Sequence, residues 1–249
     1  MVGVLPYIST KAAKSEAEGA TVRTRLIFPT VVLILMVALS PATRGQSSTS
    51  LPSPTPDISG VWLLEKYQPA LFPKGGAPLQ PWAEEKFKAA NPQANDPNLA
   101  CLPEGVPRFM FVPLPMEIFQ VPTRVVILHE GIEWTRQIYM NRQHLKDLDP
   151  SYSGDSIGKW EGDTLVVDTI GFKDSTWVDA GGLPHSEAMH LVERIRRTGH
   201  DTLVDDLTID DPKAYTKPIR TQRTYKLKPG WEIQEYVCEE NNKYSHKEK

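Results

Sequence analysis

From residue 116 onward the chain is written in short runs of alternating apolar and polar residues, separated by very short turns, and this leaves few folds open. Side chains along a strand point to opposite faces in turn, so a period of two marks half-buried strands. The pattern predicts strands at 116–121, 124–130, 133–140, 156–162, 164–171, 190–197, 202–209, 219–227 and 231–238. The connectors carry turn chemistry: Glu130-Gly131, Glu161-Gly162-Asp163, Gly199-His200-Asp201 and Pro229-Gly230. Asp210-Asp211-Pro212 ends one run, because proline cannot donate to a ladder. Upstream, Ile58 to Glu65 reads as a first strand, and Pro81 opens a short helix through Ala90 from proline's favoured first position. Short links make sequence neighbours pair antiparallel, and a sheet of so many strands removes its edges by closing on itself. The expectation is one all-β domain over residues 58–249, an antiparallel up-and-down β-barrel of about 8–10 strands with one short helix.

Six charges break the apolar faces of these strands. Arg136 shares a face with Trp134, Ile138 and Met140, and Asp168 falls between Val166 and Ile170. Glu193 lies between Leu191 and Ile195, and Glu235 between Ile233 and Val237. Glu117 alternates with Phe119 and Val121, and Asp205 with Leu203, Leu207 and Ile209. An isolated ion in a dry core costs several kcal/mol. Two arrangements avoid that cost: a polar pocket inside the barrel, or a buried network in which Arg136, Asp168, Glu193 and Glu235 pair with one another.

The first 45 residues read as a secretory signal peptide rather than as part of the fold. Arg23 and Arg25 precede an apolar run from Leu26 to Leu39, and small residues follow up to Gly45. The run is short for a membrane span, which needs about 20 apolar residues, so no stable membrane anchor is expected. Residues 46–57, rich in Ser, Pro and Thr, read as a flexible lead-in. Residues 1–45 hold five Lys and Arg against two Asp and Glu, which leaves 23 basic and 29 acidic residues and a formal −6 beyond them. Without a basic stripe to grip phosphates, nucleic acid is not an expected partner. The two cysteines, Cys101 and Cys238, read as a disulfide in an oxidising compartment, periplasmic or extracellular.

Gly60-Val61-Trp62 on the first strand, ahead of an antiparallel meander, resembles the calycin barrels, the lipocalin-type ligand binders. A stronger likeness is carried by Ser156-Ile157-Gly158-Lys159-Trp160-Glu161-Gly162-Asp163-Thr164-Leu165-Val166-Val167-Asp168, by Pro184-His185-Ser186-Glu187, by His190-Leu191-Val192-Glu193-Arg194 and by Glu235-Tyr236-Val237-Cys238-Glu239-Glu240-Asn241. Through these runs, roughly residues 57–244 resemble a large family of secreted bacterial proteins abundant in acidobacteria and other soil and sediment bacteria. The resemblance implies export and a shared fold and brings no settled activity, so function must be argued from a site. Asn141-Arg142-Gln143-His144 departs from the family's more usual Asp-Gly-Arg-x-His turn, and Asp205 stands where an apolar residue is common.

The side chains that could do chemistry gather around two long loops, 141–155 and 172–189. His185 and His190 bracket the entry to the strand that carries Glu193 and suit proton transfer near neutrality. Asp168 or Glu193 would orient or share the proton, and Arg136 would stabilise negative charge developing on a substrate. Trp177, Tyr139, His144 and Glu235 are candidate ligand contacts, Trp177 as a lid over an apolar or aromatic molecule. His185-x-Glu187-x-x-His190, with His144 or His129 as a third ligand, also spells a metal site. Histidines five apart share no face of a helix or strand, however, and zinc spacings are absent, so neither metal nor other cofactor is expected. Nor is there a Gly-rich phosphate loop or a Gly-x-Ser-x-Gly nucleophile elbow. The leading expectation is a cofactor-independent acid–base lyase or isomerase acting on a small apolar or aromatic compound. A non-catalytic carrier of a small hydrophobic ligand and a structural envelope protein are the alternatives. Oligomeric state is not legible.

Overall fold

The computed structural model describes residues 55–241. The signal peptide read over residues 1–45 and most of the lead-in at 46–57 lie outside the described residues. Nine strands, all from the described residues, form one closed barrel in sequence order. They are β1 (Gly60–Leu64), β2 (Met116–Val121), β3 (Arg124–His129), β4 (Ile132–Met140), β5 (Asp155–Glu161), β6 (Thr164–Ile170), β7 (His190–Gly199), β8 (Thr202–Asp210) and β9 (Ile219–Leu227). One helix of ordinary length, α1 (Pro81–Ala89), buries Ala83 and Phe87, and a single turn, α2 (Cys238–Asn241), ends the described chain. Among the described residues no helix is long and apolar enough to cross a membrane.

The barrel is calycin-like and all-β, as the alternation predicts, but not wholly antiparallel. Directions around a closed ring must return to their start, so an odd number of strands cannot alternate throughout. The pair that breaks the alternation is β4–β5, which runs parallel with Tyr139 opposite Ile157. The remaining pairs, including the closing pair of β1 and β9, are antiparallel. A parallel pair needs a connection that travels back along the barrel, and residues 141–154 supply it.

The tenth strand, predicted at 231–238, does not form. Closure of β9 on β1 leaves no edge for it, and residues 231–237 run as irregular chain with Trp231 and Glu235 exposed. That tail is tied down instead by a disulfide between Cys101 and Cys238, whose Cα atoms lie 5.8 Å apart.

Side-chain direction sorts the six embedded charges. Arg136, Glu193 and Asp205 do face inward, among Ile138, Leu191, Ile195, Leu203 and Leu207, all buried. The Trp134 side chain lies outside the described residues. Asp168 does not face inward. Beyond Thr164, at the turn, the buried residues of β6 are Leu165, Val167 and Thr169, so Asp168 projects outward with Val166 and Ile170. Glu117 likewise shares the outer face of β2 with exposed Phe119 and Val121, while Met116 and Ile118 fill the interior. One end of the barrel is closed by the 3₁₀ turn Arg108–Phe111, where the Met110 carbonyl accepts the buried Tyr225 hydroxyl at 2.7 Å.

Candidate acid–base site

Asn141 ends β4 with a left-handed φ of 56°, and its amide donates to the Gly158 carbonyl at 3.0 Å. From there the crossover chain is turned over the outer face of β5 and β6. It is docked by Leu148, which packs where a Cβ on Gly171 would fall only 2.2 Å from its Cδ2, and by the Ser151 amide on the Gly171 carbonyl. Gly171 (φ 74°) is thus required for this close approach. The crossover delivers Arg142 and His144 to the outside of the barrel, where Asp155 opens β5, Asp168 lies near the end of β6 and His190 opens β7.

Four side chains form a continuous chain there. His144 Nδ1 lies 2.8 Å from Asp155 Oδ2, and its Nε2 lies 3.0 Å from Asp168 Oδ1. His190 Nε2 reaches the same Asp168 Oδ1, also at 3.0 Å. A neutral imidazole carries one N–H, yet both nitrogens of His144 face carboxylate oxygens. His144 thus bridges two carboxylates, and Asp168 in turn joins it to His190. Asp155 anchors the cluster's inner end. Burial raises the Asp155 carboxyl, but bonds from His144 and the Leu145 amide, with the Arg142 charge, outweigh this and hold it below the usual carboxylate range. Arg142 also pairs with Asp155 and lies 4.3 Å over the Tyr139 ring. Asp155 is buried, His144 is largely covered, and His190 and Asp168 stay open to solvent, so the chain runs from surface to interior. Beside it lies a cleft of about 430 Å³ lined by Tyr139, Arg142, Leu145, Leu148, Gly154 and Asp155.

The structure therefore brings together four of the residues marked in the sequence, Tyr139, His144, Asp168 and His190, and separates the others. Arg136 and Glu193 are fully buried and bind each other through both guanidinium Nη atoms, one at 2.8 Å, with Ser156 and Thr169 hydroxyls accepting from Arg136 as well. They pack directly against each other, so that pair is an interior ion pair rather than the lining of a substrate pocket. His185 is no partner for His190. It is buried, with Nδ1 donating to the Ser186 carbonyl at 3.0 Å and Nε2 accepting from the Thr176 hydroxyl at 2.8 Å. Burial pulls its pKa down and favours that neutral form. The surrounding Pro184-His185-Ser186 run is an anchor. The Pro184 carbonyl accepts the Tyr215 hydroxyl, and the Ser186 amide and hydroxyl donate to buried Asp211. Trp177 lines a different cleft, of about 330 Å³, with Lys86, Asn95, Asp174 and Pro184. Glu235 sits on the exposed tail, away from any strand.

Asp155 and Arg142 escaped the sequence reading. The ten strands predicted from the pattern could alternate throughout, so nothing in it signals the parallel β4–β5 crossover that brings these two side chains to the outer face. Among the described residues no group of three His, Cys, Asp or Glu side chains is arranged to hold a metal ion. A third cleft, of about 300 Å³, opens at one mouth of the barrel between Val121, Pro122, Val125, Met140 and Trp160. No family model matches the chain, and no curated protein is significantly similar to it.

Proposed function

We propose that this chain is an exported enzyme that moves protons on a small apolar or aromatic molecule without a cofactor, in a lyase or isomerase reaction, at the outer cluster rather than in the barrel lumen. The observation that carries the reading is the sharing of one Asp168 oxygen by two histidines, one open to solvent and one backed by a buried carboxylate. In this reading His190 exchanges a proton with substrate. Asp168 couples His190 to His144, and Asp155 keeps the His144 ring oriented. Leu145, Leu148 and Tyr139 supply apolar and aromatic walls suited to a small flat molecule, in a cleft within the usual size range of ligand sites. Export is supported by the basic and apolar N-terminal run and by the disulfide.

The test incubates the chain with small aromatic and unsaturated compounds in D2O and follows deuterium incorporation and bond migration by mass spectrometry. Turnover that disappears in His190→Ala while the ligand still binds supports the enzyme. A carrier of small apolar ligands is the second reading, favoured by the apolar cleft at the barrel mouth with its Trp160 wall. It predicts binding without turnover, unaffected by His190→Ala. Neither binding nor turnover across the panel would leave an envelope protein of purely structural role.

A further inference from the structure

The connection between β6 and β7, residues 172–189, belongs to neither the barrel wall nor the outer cluster, and it holds a fixed path without a helix or strand of its own. Buried Asp179 accepts from the Leu71 amide at 2.7 Å, the Gly181 amide at 2.9 Å and the Leu183 amide at 3.1 Å. The Val178 amide donates to the Leu183 carbonyl at 2.8 Å, and Trp177 pairs with Pro184 across the same turn. Lys74 staples this turn to the end of α1, its ammonium donating to the Ala90 carbonyl at 3.1 Å and the Gly181 carbonyl at 3.2 Å. Gly182 (φ 90°) lets the two segments meet, because a Cβ there would fall 2.3 Å from the Ala90 Cβ. A connection this long in a compact domain is as a rule either disordered or functional, and this one is pinned.

Between α1 and this loop lies the cleft of about 330 Å³ that Trp177 lines. Lys86 stands on the helix side and Asp174 on the loop side, so one wall carries an ammonium and the other a carboxylate. Among the described residues neither has a salt-bridge partner. Lys86 rests 5.2 Å over the Trp82 ring, and Asp174 makes no hydrogen bond or ion pair. Other polar groups of the lining are already engaged. Asn95 caps α1 by donating to the Ala89 carbonyl at 3.1 Å, and the Thr176 hydroxyl is bound to His185. Arg108, paired with Asp96, lies 5.8 Å over the Trp177 ring and steadies that wall. A ligand with a single charge meets its complement on one wall and a like charge on the other. A zwitterion meets a complement on both, and a wall already held in place costs little ordering on binding. Trp177 offers aromatic surface to a third, uncharged group. The volume lies at the low end for ligand sites, which suits a monomer.

We propose that this cleft binds a free aromatic α-amino acid, with its ammonium on Asp174, its carboxylate on Lys86 and its ring against Trp177. The site shares no lining residue with the outer cleft and stands whether or not the His144–Asp168–His190 cluster is catalytic.

The experiment is titration calorimetry of the full chain with phenylalanine, 3-phenylpropionate, which lacks the ammonium, and phenethylamine, which lacks the carboxylate. Phenylalanine should bind saturably and each one-charge analogue at least about tenfold more weakly, the loss of one hydrogen bond between charged groups. Asp174→Asn should weaken phenylalanine by about the same factor and leave 3-phenylpropionate no weaker. Lys86→Met should likewise weaken phenylalanine and leave phenethylamine no weaker. Both positions are exposed, so the variants keep the fold. No saturable binding of phenylalanine, equal affinity for the three compounds, or full phenylalanine affinity in either variant would each overturn the proposal.

Discussion

Glu193→Leu strips the buried Arg136 of its counter-charge, and the structure sets the size of the effect. Both side chains have no exposure, and Arg136 keeps only the Ser156 and Thr169 hydroxyls, at 3.3 and 3.2 Å, once Glu193 is gone. Removing one partner of such a pair costs about 3–5 kcal/mol, because the remaining ion is left without compensation in a low-dielectric interior. For a domain of about this size each kcal/mol lowers Tm by about 2–4 °C, so the loss should be roughly 6–20 °C. Arg136→Met combined with Glu193→Leu removes both ions and substitutes apolar volume. It should recover stability to within about 2 kcal/mol of wild type, since hydrophobic replacement of whole buried pairs is often neutral or better. Urea unfolding with the disulfide intact, followed by far-UV circular dichroism, measures all three proteins. A Glu193→Leu cost under about 1 kcal/mol, or a double variant no better than the single one, would refute the reasoning.

Further outcomes concern pH and the disulfide. Burial lowers the pKa of His129 to about 4, so the unfolded chain takes up a proton below about pH 6.5 that the fold refuses, and stability falls toward acid. Burial raises Glu104 to about 7, so the fold keeps a proton that the unfolded chain loses above about pH 4.5, and stability falls toward neutrality. The two slopes oppose each other between roughly pH 4.5 and 6.5, and Glu104→Gln should expose the His129 slope as a steeper acid loss in urea titrations; an unchanged profile would contradict both assignments. Cys101 and Cys238 close a separation of 137 residues, for which the chain-entropy account gives about 5 kcal/mol. Their joint replacement by serine should lower stability by up to that amount yet keep the β-sheet circular dichroism, because the tail contributes no strand.

Much of the barrel was legible because its strands alternate cleanly and their turns are short. The inward set at Arg136, Glu193 and Asp205 was legible because each alternates with apolar residues that end up buried, such as Leu191 and Ile195 around Glu193. Asp168 was misplaced because β6 carries branched aliphatics on both faces. Leu165 and Val167 fill the core, and Val166 and Ile170 are half-covered on the outside, so periodicity alone cannot say which face is which. Glu235 was misplaced because residues 231–238 keep a strand-like pattern after the ring has already closed. Of the candidate site, His144, His190, Asp168 and Tyr139 were legible, but not Asp155 or Arg142, nor its location. Its assembly depends on the parallel β4–β5 pair, which no local pattern announces.

The central claim is that the chemistry lies on the outer cluster and not in the lumen. The most direct measurement is kcat/KM, on whatever compound the D2O screen identifies, for Asp168→Asn and for the stabilised Arg136→Met/Glu193→Leu variant. The account predicts a loss of roughly 10²–10⁴-fold for Asp168→Asn, the range expected when a positioned acid–base group is disabled, and near-wild-type turnover for the interior double variant. Full activity in Asp168→Asn together with collapse in the folded interior variant would contradict it.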